Sequence, residues 1–207
     1  VFAQGESGAV FLKLNPSARQ AGMGEAFTGI ADDINLMNYN IGGLSLIRHY
    51  ELSATYMNWF MDMDQQLLAV GLPINRGDAG TVGIHINSFN EGTSEQWEGD
   101  FSPDNFRTFK ATDFSLSTGY SYPFEVLGEE HVVSPGLALK FVQQTLMNNT
   151  ANAFTMDMGF LYIGNYFNAG ASVQNMFGSI NHYSMDAPLP MISRLGVSTT
   201  FADSLTD

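Results

Sequence analysis

Residues 112–122 read Thr112-Asp113-Phe114-Ser115-Leu116-Ser117-Thr118-Gly119-Tyr120-Ser121-Tyr122. Phe114, Leu116, Thr118, Tyr120 and Tyr122 fall on one face of an extended chain. Asp113, Ser115, Ser117, Gly119 and Ser121 fall on the other, because side chains of a strand alternate with period two. One face therefore wants an apolar surrounding and the other a polar one. A soluble antiparallel sheet supplies that contrast, and so does the wall of an outer-membrane barrel.

The same alternation recurs along the chain. Candidate strands, bounded by turn residues, lie at 50–58, 65–73, 80–90, 112–122, 135–146, 154–163, 166–176 and 192–201. In 154–162, Phe154, Met156, Met158, Phe160 and Tyr162 oppose Thr155, Asp157 and Gly159. Most are near the ~9–11 residues that a tilted strand needs to cross a bilayer. Short connections imply an antiparallel meander, and the stretches 91–111 and 178–190 are expected to be exposed loops. The polar faces carry Gly, Ser, Thr and Asn, where a soluble sandwich would present Lys and Glu to water. Small uncharged residues suit an interior that accommodates something else.

Composition suits a membrane barrel and an acidic β-sandwich alike. Only 14% of the 207 residues are charged, against roughly 25% in an average soluble domain. There are 21 glycines, and aromatics make up 13%, as an apolar wall with aromatic girdles requires. The net charge of −13 repels a phosphate backbone, so nucleic acid is not an expected partner. Much of the acidity, Glu91, Glu95, Glu98, Asp100 and Asp104, falls in one polar stretch. That reads as a solvated loop, with a divalent-cation site or a polar extracellular face as the sharper alternative. Cysteine is absent, which excludes disulfides and thiolate metal sites. No run approaches the ~18 apolar residues of a membrane helix, and a barrel needs none. The opening Val1-Phe2-Ala3-Gln4 is similar to the end of a cleaved signal peptide.

Residues 1–47 differ from the rest. They are rich in glycine, with short apolar bursts such as Val10-Phe11-Leu12, and read as a compact, mostly irregular segment with one or two helical turns within 17–31. Residues 48–207 carry the strands.

Two blocks resemble a known family. The first holds Gly8-Ala9-Val10-Phe11-Leu12-Lys13-Leu14, Ala18-Arg19, Gly22-Met23-Gly24-Glu25-Ala26-Phe27, Ala31-Asp32-Asp33 and Asn40 through Leu44. The second holds Gly170-Ala171-Ser172-Val173-Gln174-Asn175, Pro188-Leu189-Pro190 and Arg194-Leu195-Gly196-Val197. Their order and spacing resemble the PorV/PorQ family of bacterial outer-membrane proteins, relatives of the FadL fatty-acid channel. The resemblance implies an all-β, antiparallel transmembrane β-barrel of about fourteen strands when complete. Residues 1–47 would be its plug, with Phe11, Arg19, Gly22, Gly24, Asp32, Asp33 and Asn40 as structural residues. It also implies outer-membrane residence and a role in type IX secretion or surface attachment, beside a translocon and its cargo. The chain departs from the family at Asn40-Ile41-Gly42-Gly43-Leu44, where Asn-Pro-Ala-Gly-Leu is usual. Losing that proline frees φ at the plug turn.

About eight strands are expected here. An eight-stranded barrel is filled by its own side chains and has no room for a 47-residue plug. The chain is therefore expected to be the N-terminal part of a longer protein.

Chemistry-bearing motifs are few. Gly22-Met23-Gly24-Glu25-Ala26-Phe27-Thr28-Gly29 has its third glycine misplaced for a dinucleotide fingerprint and lacks a βαβ setting. Arg19 with Asp32-Asp33 reads as a salt-bridged anchor. Lys140, Asp157 and Arg194 sit on polar strand faces and are lumen-facing candidates, either paired with one another or the plug, or lining a solute path. His49, His85, His131 and His182 lack ligand spacing, so no metal site is expected. Asp62-Met63-Asp64 occupies a turn and is a minor cation candidate. Trp59 and Trp97 are expected as girdle aromatics. No triad, metal cluster or phosphate loop appears, so neither an enzyme nor a cofactor is expected. The expected function is a non-enzymatic partner in protein export or surface assembly. The alternatives are a FadL-like transporter of hydrophobic small molecules and a soluble acidic binding sandwich.

Overall fold

The computed structural model describes residues 7–15, 17–97, 106–126, 131–147, 149–182 and 185–199. It is mostly antiparallel sheet. Eleven strands are assigned: β1 (Glu51–Asn58), β2 (Asp64–Pro73), β3 (Thr81–Trp97), β4 (Phe106–Ser121), β5 (Phe124–Glu125), β6 (Val132–Leu146), β7 (Asn149–Ile163), β8 (Asn168–Met176), β9 (Ser179–His182), β10 (Met185–Pro188) and β11 (Ile192–Ser198). Eight of them pair along one path, β1-β2-β3-β4-β6-β7-β8-β11. β5 adds a short pairing to β6, and β9 with β10 forms a separate ribbon. The eight strands of the path match the eight expected runs, with shifted ends.

Two expectations need correction. The stretch 91–111 is not a loop throughout: β3 runs on to Trp97 and β4 begins at Phe106, and the two remain paired past a register shift between Asn90 and Thr93. The extra Glu91-Gly92 at the shift is a β-bulge, and Gly92 takes φ 77° there. The stretch 178–190 likewise contains the β9–β10 ribbon. The side chains of Glu95, Trp97, Glu98, Asp100 and Asp104 lie outside the described residues, as does Phe201.

Residues 7–47 are short turns of helix joined by irregular chain: a 3-10 turn at Val10–Lys13, α1 at Ala18–Gly22, and 3-10 turns at Ile34–Asn38 and Ile41–Leu46. Gly22, Gly24 and Gly29 keep any helix here short. No described helix is long and apolar enough to cross a membrane, which says nothing of strands.

The segment lies against one face of the sheet and divides its contacts into two apolar clusters. Phe27, Ile34, Leu36, Met37, Tyr39, Ile41, Leu44 and Ile47 pack with Ala69, Ala138 and Leu161 of the sheet. Ala9 and Phe11 pack with Phe89, Val142, Ala151, Ala153, Ile180 and Leu189. Among the described residues, nothing covers the opposite face of the sheet.

Candidate functional site

The two faces of the sheet are inverted relative to a water-soluble protein. On the covered face, Gln65, Thr81, His85, Asn87, Asp113, Ser115, Ser117, Ser121, Lys140, Thr155, Asp157 and Ser172 are all buried. On the bare face, large apolar side chains stand open, with Phe154 76% exposed and Leu195 87%. Phe114, Leu116 and Tyr120 of the deciding stretch belong to the bare face, and its Asp113, Ser115 and Ser117 belong to the covered one.

Strand register turns the bare side chains into rows. Leu52, Val70, Ile84, Thr118, Leu139 and Met156 follow one another across six neighbouring strands. So do Ala54, Leu68, Ile86, Leu116, Phe141 and Phe154. Beyond these, Asn58, Asp64, Asn90, Thr112, Thr145 and Thr150 form a wholly polar row that ends the apolar surface. At the other end Tyr122, Phe124, Tyr166 and Phe167 are exposed. From Phe154 to Tyr162 the bare face of β7 extends about 27 Å at ~3.4 Å per residue, or about 20 Å across a layer if tilted by ~40°.

The covered face is cut to receive the N-terminal segment. A Cβ on Gly136 would stand 2.6 Å from the Ile41 carbonyl, and one on Gly159 would stand 2.3 Å from Asn40 Oδ1. A Cβ on Gly170 would meet the Thr28 carbonyl oxygen at 2.0 Å. Backbone of residues 28–42 thus rests directly on strand backbone, at distances that only glycine permits. Asn40 fixes the contact. Its Nδ2 donates to the carbonyls of Thr28 (2.9 Å) and Phe160 (3.0 Å), and its Oδ1 accepts from Gly42 N–H (3.1 Å). Hydroxyls of the wall hold the same stretch: Ser121 Oγ donates to the Gly42 carbonyl and Ser172 Oγ to that of Tyr39.

The expected plug residues fall at separate places in this segment. Arg19, Asp32 and Asp33 come together: Arg19 Nη1 donates to Asp32 Oδ1 and Asp33 Oδ2, both at 2.6 Å, and Nη2 to Asp32 Oδ2 at 3.0 Å. Hydrogen bonds to Asp32, then Asp33, raise the Arg19 pKa above its ordinary value. Asp33 also accepts from Gln20 and caps the turn at Asn35. Phe11 is buried in the second apolar cluster. Gly24 adopts φ 61°, while Gly22 meets no close neighbour. Trp59 is not an exposed girdle residue: it packs against the second apolar cluster.

Between the two clusters runs a polar layer. Lys140 Nζ lies 2.8 Å from Asp157 Oδ2 and donates to Asn175 Oδ1 at 2.7 Å. Asp157 Oδ1 accepts from Asn175 N–H at 2.8 Å, and Asn175 Nδ2 reaches the Pro190 carbonyl. Asn38 and His85 pair at 3.2 Å. Arg194 is not part of that group. It donates to Gln174 and lies over the Tyr39 ring, 5.2 Å from its centroid. Burial, then the charge of Glu25, pushes the Tyr39 phenol up to about 12. The space left among Asn38, His85, Asn87, Ser115, Lys140 and Gln174 is a cavity of about 10 Å³, room for a single water.

Sequence reading placed Lys140 and Asp157 on polar faces but missed Asn175, the third member of their group. Its signal is weak, an Asn at a strand's end, where it takes φ 57°. Among the described residues, no group of three or more His, Asp or Glu side chains is arranged to hold a metal. No protein-family model matches the chain, and no curated protein matches it.

Proposed function

We propose that the chain supplies wall and plug of an outer-membrane β-barrel that serves, in the manner the PorV/PorQ resemblance suggests, as a non-enzymatic partner in protein export or surface assembly. The inverted sheet carries this reading. Leu52, Tyr56, Leu68, Leu116, Tyr120, Leu137, Leu139, Phe154, Met158, Phe160, Leu195 and Val197 all stand exposed on the bare face. Burying such a side chain is worth about 1.5–3 kcal/mol. Leaving twelve of them in water, each in part, forgoes on the order of 10–20 kcal/mol, comparable with the whole net stability of a typical domain, ~5–15 kcal/mol. Lipid removes that deficit. The partner on this face is therefore hydrocarbon, and the polar row through Asn58 and Thr150 marks where headgroups begin.

The N-terminal segment is the plug in this reading. Residues 7–47 pack along the covered side, leaving room for one water beside Lys140 and His85 and a larger space of about 430 Å³ between Glu25–Ile30 and β11. The end bearing the longer β3–β4 hairpin and the β9–β10 ribbon would face outward, since extracellular loops are the long ones in such barrels.

Purification from detergent-solubilised membranes tests the proposal. Stoichiometric recovery of a large envelope complex supports export or assembly. Recovery of a lone monomer that admits a hydrophobic solute to liposomes supports transport instead.

A further inference from the structure

Asp113 is a buried acid whose charged neighbour, Glu91, is another acid. It is 2% exposed, on the covered face of β4 close to the polar end of the sheet. Among the described residues, neither Oδ1 nor Oδ2 has a hydrogen-bond partner. Lys140, four positions along β6 from the register partner of Asp113, is committed to Asp157 and Asn175. The charged group that acts on Asp113 is Glu91, a second carboxylate, and the remaining polar neighbour is Gln144, its register partner on β6.

Two carboxylates in contact, one of them desolvated, repel each other and lack a counter-charge. The local backbone brings them together. Glu91 sits at the β3 bulge, two residues past Phe89, the register partner of Asp113. Carboxylate oxygens with an amide carbonyl and open access to water at Glu91 are the donor set of a hard divalent cation, above all Ca²⁺. A soft metal is disfavoured because the chain has no cysteine to supply a thiolate.

We propose that Asp113 and Glu91, with the Gln144 amide, form a Ca²⁺ site at the loop-bearing end of the sheet. The ion neutralises the buried carboxylate and ties the β3 bulge to β4 and β6. An outward-facing site of two carboxylates needs only the weak affinity of extracellular modules, with Kd on the order of 10⁻⁴–10⁻³ M.

Calorimetric titration of the metal-stripped, folded full chain in detergent with CaCl₂ alone tests this. The expected result is saturable binding of one Ca²⁺ per chain. Glu91→Gln, an exposed change that spares the fold, should weaken it at least tenfold. Asp113→Asn should abolish it, while Asp186→Asn, an exposed change on β10, should leave it unchanged. Absence of saturable binding up to about ten times the upper Kd, or binding indifferent to Glu91→Gln, overturns the site and leaves the two acids sharing a proton.

Discussion

Single side chains here act mainly by satisfying one another inside a covered face. Lys140 and Asp157 are the most consequential pair, 2.8 Å apart and both almost fully buried. Removing one partner strands the other charge, so Asp157→Ala is expected to cost about 3–5 kcal/mol of stability. The double change Lys140→Met with Asp157→Leu should recover most of it, because a packed apolar pair needs no solvation. Denaturant unfolding in detergent micelles measures both. Tyr39 gives a pH signature. Its folded pKa of about 12 lies above the ordinary phenol value of 10. The neutral form is thus favoured in the folded state, and its stabilisation is complete below pH 10 and lost as pH rises toward 12. Ultraviolet tyrosinate titration should show one late-ionising tyrosine, absent in Tyr39→Phe, with plug contacts loosening over the same window.

Elements are held together by backbone contact as much as by side chains. The 28–42 stretch rests on Gly136, Gly159 and Gly170 without intervening Cβ atoms. Gly136→Val should therefore push the N-terminal segment off the wall. The expected outcome is faster tryptic cleavage at Lys13 and Arg19, with the strand signal in circular dichroism retained. Unchanged cleavage would mean that the segment is held elsewhere. The glycines were visible in the sequence as a polar face of small residues, and the period-two alternation around Phe114 and Phe154 gave the eight paired strands. Less was legible where that alternation lapses. Glu91-Gly92 and the Ser- and Gly-rich residues after it carry few of the β-branched or apolar side chains that betray a strand, so the β3–β4 extension read as loop. The Arg19–Asp32–Asp33 group was legible because its members share one segment. Asn175 joining Lys140 and Asp157, and Glu91 meeting Asp113, depend on register and a bulge, which a sequence does not display.

At the scale of the whole molecule, one physical asymmetry organises everything else. Most buried polar strand side chains point toward the N-terminal segment, and most exposed leucines, phenylalanines and methionines of the strands point away from it, with Leu161 and Phe89 on the covered side. The lipid-facing reading makes depth matter. Leu139→Arg, in the middle of the apolar rows, should cost about 2–4 kcal/mol and hinder membrane folding, whereas Thr112→Arg, in the polar row, should cost about 0–1 kcal/mol. Refolding yields into liposomes would separate the two. The absence of native cysteine permits the most direct measurement. Single cysteines placed in turn from Phe154 to Tyr162 of β7, spin-labelled in the reconstituted protein, report oxygen against aqueous relaxation agent. The account predicts high oxygen contact at 154, 156, 158, 160 and 162, and low access to either agent at 153, 155, 157, 159 and 161. Aqueous access along the even positions, in a protein that stays folded without amphiphile, would contradict it.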